Sequence, residues 1–281
     1  MSECTHDCSS CGESCASREP QSLLKAHHAD AHVGKVYGIV SGKGGVGKSM
    51  VTSQLAVTMR RRGYQVGILD ADITGPSIPK AFGIHDRAMG TENALIPSES
   101  KTGIQVMSIN LLLENETDPV IWRGPVISGV VQQFWTDVLW NCDYLFVDMP
   151  PGTGDVHLSI ISEMSITGAI VVSTPQKVAL ADVVRGIAMF RNDKIDIPVL
   201  GLVENMAWFT PAELPENRYY LFGKEGVKML AERQKLPLLA QIPLIQSVRE
   251  SGDAGRPVSA KTDAASEYYD LLANNIVREL P

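Results

Sequence analysis

The sequence predicts an α/β fold, a mainly parallel sheet with helices on both faces, and three observations carry that expectation. Apolar runs of strand length alternate with helix-length segments from residue 35 onward, as in chains built from repeated β-α-β units. Two of the runs end in aspartates, at Asp70 and Asp148, on the side where open α/β sheets bind ligands. One strand-to-helix junction reads Gly42-Lys43-Gly44-Gly45-Val46-Gly47-Lys48-Ser49, which meets the phosphate-loop pattern G-x-x-x-x-G-K-[ST] at every fixed position.

Length and composition set the outer bounds. A chain of 281 residues, 44% hydrophobic, buries a core of one α/β domain, expected over residues 35–281, with residues 1–34 as a short appendage. Twenty-five basic side chains against 32 acidic ones leave a formal charge of −7. Such a surface repels nucleic acid and anionic lipid, so neither is an expected partner. Arg60-Arg61-Arg62 precedes Gly63 and reads as the cationic last turn of a helix rather than a binding patch. No apolar run approaches the roughly 20 residues that span a bilayer. The N-terminus lacks a signal-peptide core, so the expected location is the cytoplasm.

The appendage holds Cys4, Cys8, Cys11 and Cys15, four of the five cysteines, spaced C-x3-C-x2-C-x3-C. In a reducing compartment such a cluster holds a metal rather than disulfides. Four thiolates so close wrap either one tetrahedral zinc or one four-cysteine iron–sulfur cluster, and a redox-active or unliganded tail is the third reading. Spacing does not choose among them. Residues 21–32 read as a short helix or a linker, with His27, His28 and His32 facing solvent.

The next elements build a nucleotide site. Val36–Val40 is an apolar run that reads as a buried parallel strand. The glycine-rich loop after it can turn its backbone N–H groups inward on phosphate oxygens. Lys48 reaches the β- and γ-phosphates in this pattern, and the Ser49 hydroxyl holds Mg²⁺. A helix is expected from Val46 to Arg62, with Val51, Leu55 and Met59 on one face and its positive dipole end at the phosphates. Gln65–Leu69 reads as the second strand. It delivers Asp70 and Asp72 to the crevice, where Asp72 either orients the attacking water, supports the magnesium shell or caps a turn. Gly75-Pro76 marks a loop able to switch.

Residues 83–100 read as polar loop and Ile104–Ile109 as a strand. Gly124–Asn141 reads as a helix whose apolar positions include Val130, Val131, Phe134, Val138 and Leu139. Cys142 follows as a buried structural thiol. Tyr144–Val147 then ends in Asp148, the form of a Walker B strand that delivers one carboxylate to magnesium. The prolines and glycines of Met149–Asp155 make a stiff turn with hinge points beside the expected γ-phosphate. Strands are expected at Ala169–Ser173, Pro198–Glu204 and Leu238–Ile242, and helices at Val178–Asn192 and Asp263–Glu279.

Lys43, an additional lysine near the start of the loop, resembles the deviant Walker A mark of the division-site and partition ATPases, the nitrogenase iron protein and the cluster carriers. The segments Asp70–Ser77, Val147–Asp155 and Val203-Glu204-Asn205-Met206 are together similar to the Mrp/ApbC branch, the scaffold or carrier ATPases for iron–sulfur clusters. The resemblance runs from about Lys35 to the C-terminus. It implies a homodimer in which Lys43 reaches the partner's nucleotide, so that hydrolysis is tied to assembly. It implies further that Lys48 and Ser49 bind ATP and Mg²⁺, Asp72 positions water, Asp148 supports the magnesium and Asn205 bonds the adenine. The implied cargo is an iron–sulfur cluster of the [4Fe–4S] type, and the implied recipients are apo iron–sulfur proteins.

One departure from the family pattern stands out. Members of this branch carry C-x-x-C shortly after the Asn-Met pair, where this chain has Pro211 and Leu214. Neither ligates iron, so the resemblance leaves Cys4, Cys8, Cys11 and Cys15 to bind the cluster. The alternative is a MinD/ParA-like positioning or regulatory ATPase switch with a zinc-binding tail. Its membrane-bound form is disfavoured by a final stretch with Asp263, Glu267, Asp270 and Glu279 against Arg278 alone. A ligase or synthetase on the same loop is a third reading, for which no residue names a substrate.

Overall fold

Strand β1 (His32–Val40) lies in the middle of an eight-stranded sheet, and its last five residues are all buried. Val36 and Val40 point to one face and Tyr37 and Ile39 to the other, each set entering its own apolar cluster. A continuous rather than alternating apolar run is what a strand covered by helices on both sides requires. The structure is a computed structural model that describes residues 23–72, 75–113, 124–192, 195–257 and 265–278.

From β1 the chain runs through α1 (Lys48–Arg61), β2 (Val66–Asp70), the single turn α2 (Ile78–Ala81), the short strands β3 (Met89–Gly90), β4 (Leu95–Ile96) and β5 (Ser98–Glu99), and β6 (Gln105–Ser108). It continues through α3 (Gly124–Thr136), β7 (Asn141–Asp148), α4 (Asp155–Glu163), β8 (Gly168–Ser173), α5 (Lys177–Phe190) and β9 (Val199–Phe209). The last described elements are α6 (Gly226–Gln234), β10 (Leu238–Leu244), α7 (Gln246–Asp253) and α8 (Ser266–Arg278). The sheet order is β10-β9-β8-β1-β7-β2-β6-β5. All pairings in it are parallel except β5 with β6.

Helices α1, α7 and α8 pack their apolar residues on one face of the sheet, and α3, α4, α5 and α6 pack on the other. The expected architecture is therefore present. The arginines at the end of α1 are structural: Arg61 and Arg62 pair with Asp270 of α8 at 2.8 and 3.1 Å.

Several boundaries differ from expectation for physical reasons. α1 starts at Lys48, not Val46, because Gly45 and Gly47 adopt left-handed φ of 78° and 80° and keep the loop non-helical. α3 ends at Thr136 rather than Asn141. Val138 instead bridges to Leu95, while the Trp140 indole N–H bonds the Phe134 carbonyl at 2.9 Å. Val138, buried four residues after Phe134, mimics a continuing helical stripe. β9 extends five residues past Glu204. Residues 23–31 are not helical. They lie against α3 and α4, with the Lys25 carbonyl accepting the Trp135 indole N–H at 2.7 Å. Of the three histidines expected to face solvent, His32 does, whereas His27 and His28 are half-buried and His27 meets Trp135 edge-on. Helices α2, α4, α6 and α7 were not expected.

Glu204 explains how α6 is anchored. It is fully buried, and its carboxylate accepts the Val227 N–H at 2.7 Å and the Gln241 amide at 2.8 Å. A β9 side chain thus caps the positive end of α6. Glu204→Ala strands both donors in the interior and is expected to destabilise the fold by about 2–3 kcal/mol. The reading is a lower denaturant midpoint at unchanged slope. A midpoint equal to that of the unmodified chain would remove this role.

Candidate functional site

The site forms at the C-terminal ends of β1, β2 and β7. Gly47 opens α1 in a left-handed conformation with no side-chain cap, and the first turn carries no acidic residue. Such an N-terminus leaves its N–H groups and positive dipole for an anion. Two glycines are dictated by close approach. A Cβ on Gly42 would stand 2.6 Å from the Asp182 backbone, and one on Gly47 would stand 2.3 Å from the Asn205 amide nitrogen.

Asp148 is the hub. It is fully buried at the end of β7, and its Oδ2 accepts from Lys48 Nζ at 2.7 Å and from Ser49 Oγ at 2.6 Å. Its Oδ1 accepts from Thr52 Oγ1 at 2.8 Å. Lys48 is itself 6% exposed, so the two charges compensate each other away from water. Thr52 is a site residue that the sequence reading missed. Its spacing of four from Lys48 places it on the same helix face, which is the signal that points to it.

Asp70 was expected at the crevice but was given no role there. Parallel pairing of β2 with β7 sets it directly opposite Asp148. Ser108 Oγ and the Ile78 N–H donate to its Oδ2, and the Asp72 N–H donates to its Oδ1 at 3.2 Å. Burial, then the neighbouring Asp148 charge, push its carboxyl up to about 8. In the unfolded chain the ordinary value is about 4, so between those limits the native state holds more protons. The stabilisation is therefore complete below about pH 4, falls as pH rises through that interval, and is gone above about 8. Asp70→Asn is expected to flatten that slope in nucleotide-free protein, measured by denaturant midpoints at acid and alkaline pH. An unchanged slope would contradict the assignment.

The other expected residues fall around this hub. Asp72 is partly exposed just beyond β2. Asn205, 3% exposed, donates its amide to the Val46 carbonyl at 2.8 Å and so braces the loop from β9. The next residue, Met206, holds a left-handed φ of 54°, a strained backbone at the point where β9 passes the loop. Lys43 is half-buried, and its ammonium makes no ion pair among the described residues. The turn after β7 is latched to the strand before the loop, with Gly152 N–H on the Ser41 carbonyl at 2.9 Å. Beyond Asn205, Pro211 and Leu214 close one turn, the Leu214 N–H bonding the Pro211 carbonyl at 3.1 Å. A cavity of about 630 Å³ opens there, with Arg218 lying 4.4 Å above the Trp208 ring.

Cys4, Cys8, Cys11 and Cys15 lie outside the described residues, as do Ile73 and Thr74 of the loop after Asp72. The family model described as ParA, NUBPL iron-transfer P-loop NTPase, matches residues 32–277. The chain belongs to that family. It is 44% identical over 227 residues to the iron-sulfur cluster carrier protein of Aquifex aeolicus, covering 79% of this chain but only 61% of that relative. Its identity with the protein of the same name from Methanocaldococcus jannaschii is 38% over 288 residues, covering 100% of this chain and 98% of the relative. Among solved structures it resembles the nucleotide-binding protein from Archaeoglobus fulgidus in complex with ADP. That match has a TM-score of 0.73 and 38% identity, over 84% of this chain and 92% of the other.

In this NUBPL-family chain the described residues offer iron no ligand set. They contain no group of three or more histidine, cysteine or acidic side chains arranged for a metal. Cys142 is the one cysteine among them, buried, with its thiol pushed up to about 12. A thiol so far from ionisation does not ligate. No helix of the described residues is long and apolar enough to cross a membrane.

Proposed function

We propose that this NUBPL-family protein is a Mg²⁺-dependent ATPase that carries iron–sulfur clusters and transfers them to apo iron–sulfur proteins. The observation that carries the nucleotide half is the buried Lys48–Asp148 pair beside an uncapped, glycine-opened helix start. The names of the relatives support the cluster half, the cluster being cargo rather than a resident group.

The oxygen donors suit magnesium, a hard cation that selects hydroxyl and carboxylate ligands. Ser49 and Asp148 would hold it, and it would neutralise charge on the β- and γ-phosphate oxygens. Lys48 leaves Asp148 for those oxygens, exchanging one buried anion for another. Asp72 aligns the water that attacks the γ-phosphorus as the bond to the ADP oxygen breaks. Asn205, held to the loop through Val46, presents the rest of its amide to the adenine. Lys43 extends across a homodimer to the partner's phosphates, which makes hydrolysis conditional on assembly.

The test is transfer itself. Full-length protein reconstituted anaerobically with iron and sulfide, then mixed with an apo iron–sulfur protein, is expected to restore the recipient's absorbance, with a rate that responds to Mg²⁺ and ATP. Zinc alone in the protein, with ATPase activity retained, would replace the carrier reading with the nucleotide switch.

A further inference from the structure

His157 stands in the first turn of α4, 1% exposed, and neither ring nitrogen has a hydrogen-bond partner. Leaving a buried polar group unsatisfied costs its full desolvation. Native structures rarely keep such a group without using it. The helix of His157 follows the turn after β7, and the end of β7 is tied to the end of β2 by the Ala71 N–H on the Asp148 carbonyl at 3.0 Å. The ring feels the Lys48 ammonium from α1 and the Asp72 carboxylate from the end of β2, and the Pro150 carbonyl of the turn after β7 lies near it without completing a bond.

Burial first, and the Lys48 charge after it, hold the imidazole below the ordinary histidine value. It is therefore neutral, with one N–H to donate and one bare nitrogen. Its backbone is tied to the same turn, the His157 N–H bonding the Gly154 carbonyl at 3.0 Å. Gly152 of that turn holds a left-handed φ of 91° and is latched to Ser41. A shift of the turn therefore carries the ring with it.

We propose that His157 is a positioning residue for ATP hydrolysis, an internal partner that orients Asp72 once nucleotide has drawn Lys48 away from Asp148. Without nucleotide Lys48 is committed to Asp148 at 2.7 Å and the imidazole has no task. With Lys48 on the phosphates, the turn after Asp148 relaxes and the ring N–H is given to the Asp72 carboxylate, fixing it toward the attacking water. The inference rests on the ATPase reading above. It adds a residue that touches neither water nor phosphate but sets the angle of one that does.

The experiment compares His157→Leu and His157→Gln in the full chain by single-turnover ATP hydrolysis, nucleotide Kd and Tm. The leucine variant removes an unsatisfied polar group, so its Tm is expected to hold or rise. Its hydrolysis rate is expected to fall by about 10-fold or more, since small misplacements of a water-directing group cost that much. Its ATP Kd is expected to stay within about twofold, the mark of an interaction made only on the way to the transition state. The glutamine variant keeps a donor at similar reach and should recover most of the rate. A leucine variant that hydrolyses at the unmodified rate, or a well-folded glutamine variant that fails as badly as leucine, would overturn the inference. Absence of hydrolysis in the unmodified protein would instead overturn the ATPase reading on which it stands.

Discussion

Lys48→Ala is expected to abolish nucleotide binding, while Lys43→Ala leaves binding nearly intact and loses hydrolysis. The two lysines flank the same glycines but sit in opposite environments. Lys48 is 6% exposed and forms the 2.7 Å pair with Asp148. Its removal takes away the cation that meets the phosphates and leaves Asp148 buried with only the Ser49 and Thr52 hydroxyls. Breaking a buried pair in this way costs about 3–5 kcal/mol, so the nucleotide-free variant should also unfold at lower denaturant. Lys48→Met, which keeps the stem, separates packing from charge. Lys43 is half-buried and unpaired within the described residues. Truncating it should change ATP Kd by less than about threefold and reduce turnover by about 10³-fold, the range for a cation supplied in trans. Titration with a fluorescent nucleotide and a phosphate-release assay read the two effects. Equal loss of binding in both variants would sink the trans role.

Replacing Cys4, Cys8, Cys11 and Cys15 together by serine is expected to remove all iron and acid-labile sulfide while leaving the ATPase unchanged. Among the described residues the one cysteine is Cys142, buried within β7 and with a thiol held in its neutral form. The other four cysteines of the sequence lie in its first fifteen residues, and these are the thiolates left for a cluster. Substitution is a cleaner test than truncation at Lys35. β1 starts at His32, where His32 and Val33 pair with Asn141 and Cys142 of β7, so that cut would fray the central strand. Iron and sulfide persisting in the serine variant would move the cargo site elsewhere. Zinc in the unmodified protein, without iron, would favour the switch.

The phosphate loop, the Walker B strand and the alternation of strands and helices were legible because each is a pattern of consecutive residues with a local physical cause. Gly42 to Ser49 announces an anion nest by composition and spacing. Tyr144–Val147 followed by Asp148 announces a strand that ends in a carboxylate. Val138 misled because a side chain buried at a bridge happens to stand four residues after Phe134, the spacing of a helix stripe. Short helices such as α7, with one buried apolar residue, Val248, offered no stripe to find.

What the sequence alone determined was the chemistry on offer: a phosphate-loop pattern, an apolar strand ending in a carboxylate, a cysteine-rich tail, and Pro211 and Leu214 after the Asn-Met pair. Only the tertiary structure decided which groups share an environment. Parallel register set Asp70 against Asp148, β9 brought Asn205 onto the loop and Glu204 under α6, and the first turn of α4 buried His157 with both ring nitrogens unpartnered. No spacing along the chain encodes these. They depend on which strands are neighbours and on how completely water is excluded, and exclusion of water is what turns an ordinary carboxyl or imidazole into one with a shifted proton and a role.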